Sequence, residues 1–300
     1  QSKQIEHIYP GFAISFQFYQ RHLESSGAQA AVARLATSQG SGQVRDTLEM
    51  IRSMILDAPI ESELLDLFRL QMEETLRAHQ NDDVHPIKLR FRSSSNAEDN
   101  KDFSGAGLYE SHFAFYAFGR GNSSQNTHHI SMAIKKVWAS LWKAEAYLAR
   151  ERVGIIQDSV QMGILVHPSY RKEESTGVVF YYAPDDIEIV ANHGNENVQN
   201  PSIAGLTPEV HQITTEHKVS YSSKFALSEK TVLSAKDRKQ LMALLEGVIP
   251  KFQALYPDQD VSAVDIEFKI LEVPKGKDGK KTDVVMLKQI RPLAKRVAME

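Results

Sequence analysis

The chain has 300 residues, a formal net charge of −3, 42% hydrophobic and 24% charged residues, and no cysteine. That balance is ordinary for a soluble globular protein, and the near-neutral charge speaks against a nucleic-acid partner. The missing cysteine excludes disulfides, thiolate metal sites and a cysteine nucleophile, and fits a reducing cytoplasm.

No apolar run approaches the ~18 residues of a membrane span, so no membrane partner is expected. The opening QSKQIEHIYPGF lacks the charged-then-apolar layout of a signal peptide. Pro10-Gly11-Phe12 begins an apolar run almost at once, as in a chain cut or processed upstream. Residues 12–26 read as a helix stopping at Gly27, a plausible C′ position. Val44, Leu48, Ile51 and Ile55 share one helical face, and Leu64, Leu67, Phe68 and Met72 continue the helical character until Asn81-Asp82-Asp83 breaks it. Residues 87–92 (IKLRFR) alternate as a strand, and 119–127 (GRGNSSQNT) have the composition of a loop. The strongest helix is predicted over 129–152, with Ile130, Ile134, Val137, Leu141 and Leu148 on one face and Trp138 and Trp142 beside them.

After Gly154 the pattern changes to strands: 160–166, 176–182 and 186–191, with a further hairpin within 209–222. Ser234 can cap a helix over 235–255 that turns Leu241, Leu244, Leu245, Val248 and Phe252 inward. Strands 262–271 and 283–290 then flank a Lys- and Gly-rich turn. The expected fold class is α+β, with a helix-rich first lobe over 1–157 and a strand-rich second lobe over 158–300, the change falling near 153–160.

Two constellations carry chemistry. Asp265 and Glu267 are two apart on one strand and so share a face, as do Gln289 and Arg291 on the next. A three-residue turn at Lys277-Asp278-Gly279 places Glu267 opposite Gln289 and Asp265 opposite Arg291. Two carboxylates and an amide oxygen (Asp265, Glu267, Gln289) suit Mg²⁺, which completes its shell with phosphate, and Arg291 suits a phosphate oxygen. A surface salt bridge with solvated neighbours would give the same pattern. In RFRSSSNAED (90–99), Arg90 and Arg92 share a strand face, and the serines that follow offer hydroxyls and backbone N–H groups to a phosphate, with Glu98 and Asp99 orienting the arginines. Gly105 and Gly107 in DFSGAGLYES let backbone approach a ligand, though a plain turn explains them equally. His128 and His129 have no third ligand at zinc-like spacing.

The order RSSSNAED, FSGAGLYES, VWASLW, TGVVF, DIEF, KQIRP resembles the ATP-grasp domain of the pyruvate phosphate dikinase and phosphoenolpyruvate synthase family, and PGFAISFQFY at 10–19 is similar to a segment near that domain's N-terminus. The resemblance implies two α+β lobes that clamp ATP and Mg²⁺. It also implies phosphate transfer to a histidine on a separate swivelling domain, and from there to pyruvate on a third. Arg92 then stands at the family's phosphate-binding arginine, Glu267 with Asp265 at its acidic metal and nucleotide position, and Gln289 and Arg291 at the pair that closes on the triphosphate. Met162 and Ile164 lie in the segment whose backbone meets adenine. Arg92 and Arg291 are the implied catalytic groups.

Three departures accompany the resemblance. The family's glycine-flanked phosphate lysine would precede residue 1, so the first lobe is expected to be incomplete; His167-Pro168 stands where a Gln is usual; and neither a phosphohistidine segment nor the ~250 residues of a pyruvate-binding barrel is present. The phosphohistidine and pyruvate/phosphoenolpyruvate partners are therefore expected elsewhere, on further chain or another protein. A related dikinase acting on a glucan or small molecule, or a non-catalytic nucleotide-binding module, would share these motifs.

Overall fold

The computed structural model describes residues 10–35, 41–77, 86–98, 103, 105, 107–118, 123–169, 173–182, 186–194, 198, 207–213, 219–223, 231–257, 261–275 and 280–293. They fall into two compact units, Pro10–Ser169 and the described part of Tyr170–Glu300, each with its own hydrophobic core. The expected α+β class holds, with helices concentrated in the first unit and strands in the second.

The first unit opens with strand β1 (Phe12–Ile14) and helix α1 (Phe16–Ser25), where one helix through 12–26 was expected. Phe12, Ala13 and Ile14 pair with Val166, Leu165 and Ile164, so sheet pairing claims the first three residues of the apolar run. The helix ends as expected at Gly27, whose φ of +76° is open to glycine without a Cβ penalty. Helices α2 (Ala28–Leu35), α3 (Ser41–Asp57) and α4 (Ser62–Gln71) follow. Leu48, Ile51 and Ile55 are buried as the α3 face predicts.

In α4 the buried set is Leu64, Phe68, Met72 and Leu76, while Leu67 is 42% exposed. A strict four-residue spacing overruns an α-helical turn by about 40° per step. The chain answers with a wide π turn at Met72–Leu76, which keeps the stripe facing the core.

Strands β2 (Ile87–Ser95), β3 (His112–Tyr116) and β4 (Met162–Pro168) complete a four-stranded antiparallel sheet in the order β1-β4-β2-β3. Leu89, Phe91, Ala114, Tyr116, Ile164 and Val166 are buried in the first core. Helix α5 (Ser123–Ser140) packs across β3, β2 and β4, and α6 (Ala144–Arg152) follows a break at Leu141–Trp142. The single helix expected over 129–152 is thus two, and its first turns reach back into the Ser-Ser-Gln-Asn stretch read as loop. Trp138 and Trp142 are core residues at 0% and 1% exposure, and the Trp142 indole N–H donates to the Tyr19 hydroxyl at 2.9 Å. Leu148, beyond the break, is exposed.

The second unit is a six-stranded antiparallel sheet in the order β10-β9-β5-β6-β7-β8. Its strands are β5 (Glu173–Tyr182), β6 (Asp186–His193), β7 (Glu209–Ile213), β8 (Val219–Ser223), β9 (Ala263–Lys275) and β10 (Lys280–Pro292). One face packs against α7 (Ala235–Leu255), whose Ser234 and Asp237 form a capping box. Gly177 is needed where β5 crosses Phe268, because a Cβ there would lie 2.4 Å from the ring. The division between units falls at Ser169–Tyr170, later than the expected 153–160. The reason is β4: read as the first strand of a strand-rich lobe, it is paired on both sides within the first sheet, by β1 and β2.

Candidate functional site

The β9–β10 hairpin brings four polar side chains to one face. Gln289 lies opposite Glu267 and Arg291 opposite Asp265, the pairs expected from the sequence. They arise by a different route. Lys275 pairs with Lys280, and residues 276–279, which include the expected Lys277-Asp278-Gly279 turn, lie outside the described residues. That register would offset the polar residues by one. A bulge between Leu287 and Gln289 cancels that offset.

The bulge also changes which residues of β10 face the core. Before it, the odd-numbered Val285 and Leu287 join the core beneath α7; after it, the even-numbered Ile290 does. On β9 the same core takes Val264, Ile266, Phe268 and Ile270. Asp265, Glu267, Gln289 and Arg291 are thereby left together on the opposite face, beyond the small apolar cluster of Leu271, Val284 and Met286.

Within this group Arg291 grips Asp265 with two bonds, Nε to Oδ1 at 3.2 Å and Nη2 to Oδ2 at 3.0 Å, and Nη2 reaches Glu267 Oε1 at 3.3 Å. The Arg291 and Asp265 side chains are only 16% and 11% exposed, whereas Glu267 is 36% exposed. This is a part-buried, bidentate pair, stronger and more directional than a rim salt bridge. Asp265 sets the orientation of Arg291, and Glu267 is the more accessible carboxylate. Glu267, Gln289 and Asp265 offer hard oxygen donors. Among the described residues no three His, Asp or Glu side chains gather into a metal cage.

Arg92, Met162 and Ile164 belong to the first unit. Arg92 sits in β2 opposite Leu165, on the sheet face away from Leu89 and Phe91, as does Arg90. Ser95, Asn96, Ala97 and Glu98 then turn tightly. The Glu98 carboxylate accepts from the Ser95 N–H at 3.3 Å, the Ser95 hydroxyl accepts from the Ala97 N–H at 3.1 Å, and the Glu98 N–H bonds Ser95 O at 3.2 Å. Glu98 therefore closes the turn, a role not foreseen for it; Asp99 lies outside the described residues. Asn96 was also passed over, although an Asn after three serines is a turn signal. Its amide donates to Ser159 O at 2.9 Å and its side-chain oxygen accepts from the Gln161 N–H at 2.8 Å.

Met162 pairs with Ser95, and Ile164 is paired by Ser93 on one side and Ile14 on the other. Both side chains are buried. The second glycine stretch lies against the Ser95–Glu98 turn: a Cβ on Gly105 would stand 3.0 Å from Glu98 Cγ and 3.1 Å from the Tyr109 ring, so only glycine fits there without displacement. At the end of that stretch, Glu110 takes Lys143 Nζ at 2.9 Å and His112 Nε2 at 3.0 Å. Burial pushes the Glu110 carboxyl upward, but Lys143 and His112 outweigh it and hold the group below its ordinary range.

The family model for the pyruvate phosphate dikinase AMP/ATP-binding domain matches residues 2–299. Among curated proteins, the chain is 27% identical over 208 residues to a probable phosphoenolpyruvate synthase of Staphylothermus marinus, covering 67% of this chain and 23% of that protein. It is 28% identical over 162 residues to a probable phosphoenolpyruvate synthase of Pyrococcus horikoshii, and 27% identical over 162 residues to the phosphoenolpyruvate synthase of Pyrococcus furiosus. Each of those two alignments covers 54% of this chain and 18% of the relative. The chain thus spans less than a quarter of the length of these relatives. With a family match running almost end to end, this chain belongs to the pyruvate phosphate dikinase AMP/ATP-binding domain family.

Proposed function

We propose that the chain is the nucleotide-binding part of a phosphoenolpyruvate-synthase-like phosphotransferase. It holds ATP with Mg²⁺ and passes a phosphoryl group to a histidine on a separate domain or chain, whose partner domain handles pyruvate or phosphoenolpyruvate. The observation that carries this reading is the bulged hairpin, which gathers Asp265, Glu267, Gln289 and Arg291 on one face. The family match and the phosphoenolpyruvate synthase relatives support it.

Phosphoryl transfer asks little covalent chemistry of a protein and much positioning and charge balance. Arg291, held by Asp265, grips a phosphate oxygen. Glu267 and the Gln289 amide would hold a Mg²⁺ ion, whose charge would balance that of the phosphates. The family resemblance assigns a phosphate contact to Arg92 in the first unit as well, with the Ser93 and Ser94 hydroxyls beside it on β2. Met162 and Ile164 line the strand that supports the adenine site; their pairing leaves adenine contacts to the Met162 backbone edge not covered by β1.

Calorimetric titration of Mg·ATP into wild type and Glu267→Gln tests the reading. Loss of a ligand charge lowers nucleotide affinity and flattens its dependence on Mg²⁺. Folding changes little, since Glu267 is half-exposed, its 3.3 Å contact to Arg291 contributes at most about 1 kcal/mol, and Asp265 keeps its two bonds to Arg291. Unchanged affinity in a folded Glu267→Gln variant would remove the hairpin from the site and leave a non-catalytic module as the better account.

A further inference from the structure

Arg150 is fully buried, at 0% exposure, and no carboxylate among the described residues pairs with it. Burying an unpaired guanidinium is costly unless its donors are fully used. Here each of the three nitrogens donates to a neutral acceptor: Nε to Gln157 Oε1 at 2.9 Å, Nη1 to the Tyr109 hydroxyl at 3.3 Å, and Nη2 to Leu141 O at 2.9 Å. The rings of Trp142 and Tyr109 lie 5.8 and 5.9 Å from the guanidinium carbon, close enough to stabilise the cation.

Two of these bonds lead to the same place. Gln157 starts the short helical turn Gln157–Ser159, whose Ser159 carbonyl receives the Asn96 amide. Tyr109 leans on Gly105, which in turn abuts Glu98. The two routes therefore converge on Asn96 and Glu98, the residues that shape the turn directly after Arg92. The third bond, to Leu141 O, fixes Arg150 to the break between α5 and α6.

We propose that Arg150 is a positioning residue for the phosphate-binding turn Arg92–Glu98, acting through Tyr109 on one side and Gln157 on the other. The proposal rests on the nucleotide-binding reading above. Arg150 touches no nucleotide; it fixes where the Ser93–Glu98 backbone, and with it the Arg92 side chain, stands. A lysine cannot replace it, because a single ammonium on a flexible stem cannot hold three divergent acceptors.

The test is titration of the full chain with Mg·ATP and, separately, with AMP, for wild type, Arg92→Ala, Arg150→Lys, Tyr109→Phe and Gln157→Leu. Melting curves are taken alongside. Arg150→Lys and Tyr109→Phe are expected to lower Mg·ATP affinity by about tenfold or more, the scale of a modest misplacement of binding groups, with AMP affinity unchanged. A residue that serves stability alone lowers the melting temperature and leaves the ATP-to-AMP affinity ratio where it was; that result overturns the proposal. If Arg150→Lys does not fold, Tyr109→Phe and Gln157→Leu decide by the same ratio. If Arg92→Ala also leaves the ratio unchanged, or wild type binds no Mg·ATP, the nucleotide-binding reading itself falls. If only the Arg92 variant changes the ratio, the positioning role alone is refuted.

Discussion

Two buried histidines make stability depend on pH, each for a local reason. Burial pulls the His211 imidazole below its ordinary value, against the opposing pull of Glu209, with Arg238 adding to the decrease. Burial does the same to His22, where the bond to Ile55 O opposes it and Lys135 reinforces it. Glu209 is itself tied to the backbone N–H groups of Val232 and Leu233, at 2.8 and 3.1 Å, so the pair fastens the approach to α7 onto β7. Both rings are neutral in the folded chain over a range where the unfolded chain, with histidine near pH ~6.5, is protonated. The unfolded state then binds more protons, and stability falls as pH drops through about 6.5 toward the lowered folded values. Urea midpoints at pH 8 and pH 5.5 check this: the midpoint should be lower at pH 5.5, and the drop should shrink in His22→Gln, whose amide can still donate to Ile55 O. An equal drop in that variant would assign the effect to other groups.

At the scale of elements, the hairpin shows what the sequence makes legible and what it does not. Alternation placed Asp265 with Glu267 and Gln289 with Arg291, because a strand's period of two survives any choice of turn. The pairing across the strands was expected from a three-residue turn, whereas the pairs in fact depend on the bulge next to Leu287. A bulge has no composition of its own, so two compensating offsets are invisible in a linear pattern. Other differences share that origin. β1 is hidden in an apolar run whose fate depends on β4, far along the chain, and α5 begins in polar residues that carry no periodicity. Arg150 carries no signal in the sequence, since only the folded chain shows its three neutral acceptors.

The bulge yields a sharp expectation. Deleting Lys288 removes the extra residue and sets Leu287 directly beside Gln289. Regular alternation then keeps Leu287 and Ile290 toward the core beneath α7 and Gln289 and Arg291 on the polar face, opposite Glu267 and Asp265. The deletion variant should therefore fold and retain Mg·ATP binding. Loss of nucleotide binding in a folded deletion variant would mean that the site needs the bulged backbone itself and not only the faces it sets.

At the scale of the whole molecule, the two cores have no residue in common: one runs from Ile14 to Val166, the other from Val179 to Val285. Cooperativity is a property of a shared core, so two units that do not share one are candidates for separate melting. Calorimetry of the unliganded chain is therefore expected to show two transitions, or one broadened beyond two-state behaviour. The residues proposed for the nucleotide include Arg92 in the first unit and Glu267, Gln289 and Arg291 in the second. A ligand bound only by the native form adds RT ln(1 + [L]/Kd), about 2.7 kcal/mol at a hundredfold excess over Kd. If that ligand needs both units, melting either one releases it, so Mg·ATP should raise both transitions and draw them together. Arg92→Ala weakens the first unit's hold, so the first-unit transition should lose most of its upward shift while the second keeps more of its own. Should Mg·ATP raise a single transition in wild type and leave the other in place, the nucleotide would be held by one unit alone, and Arg92 would have to leave the site together with the turn it introduces.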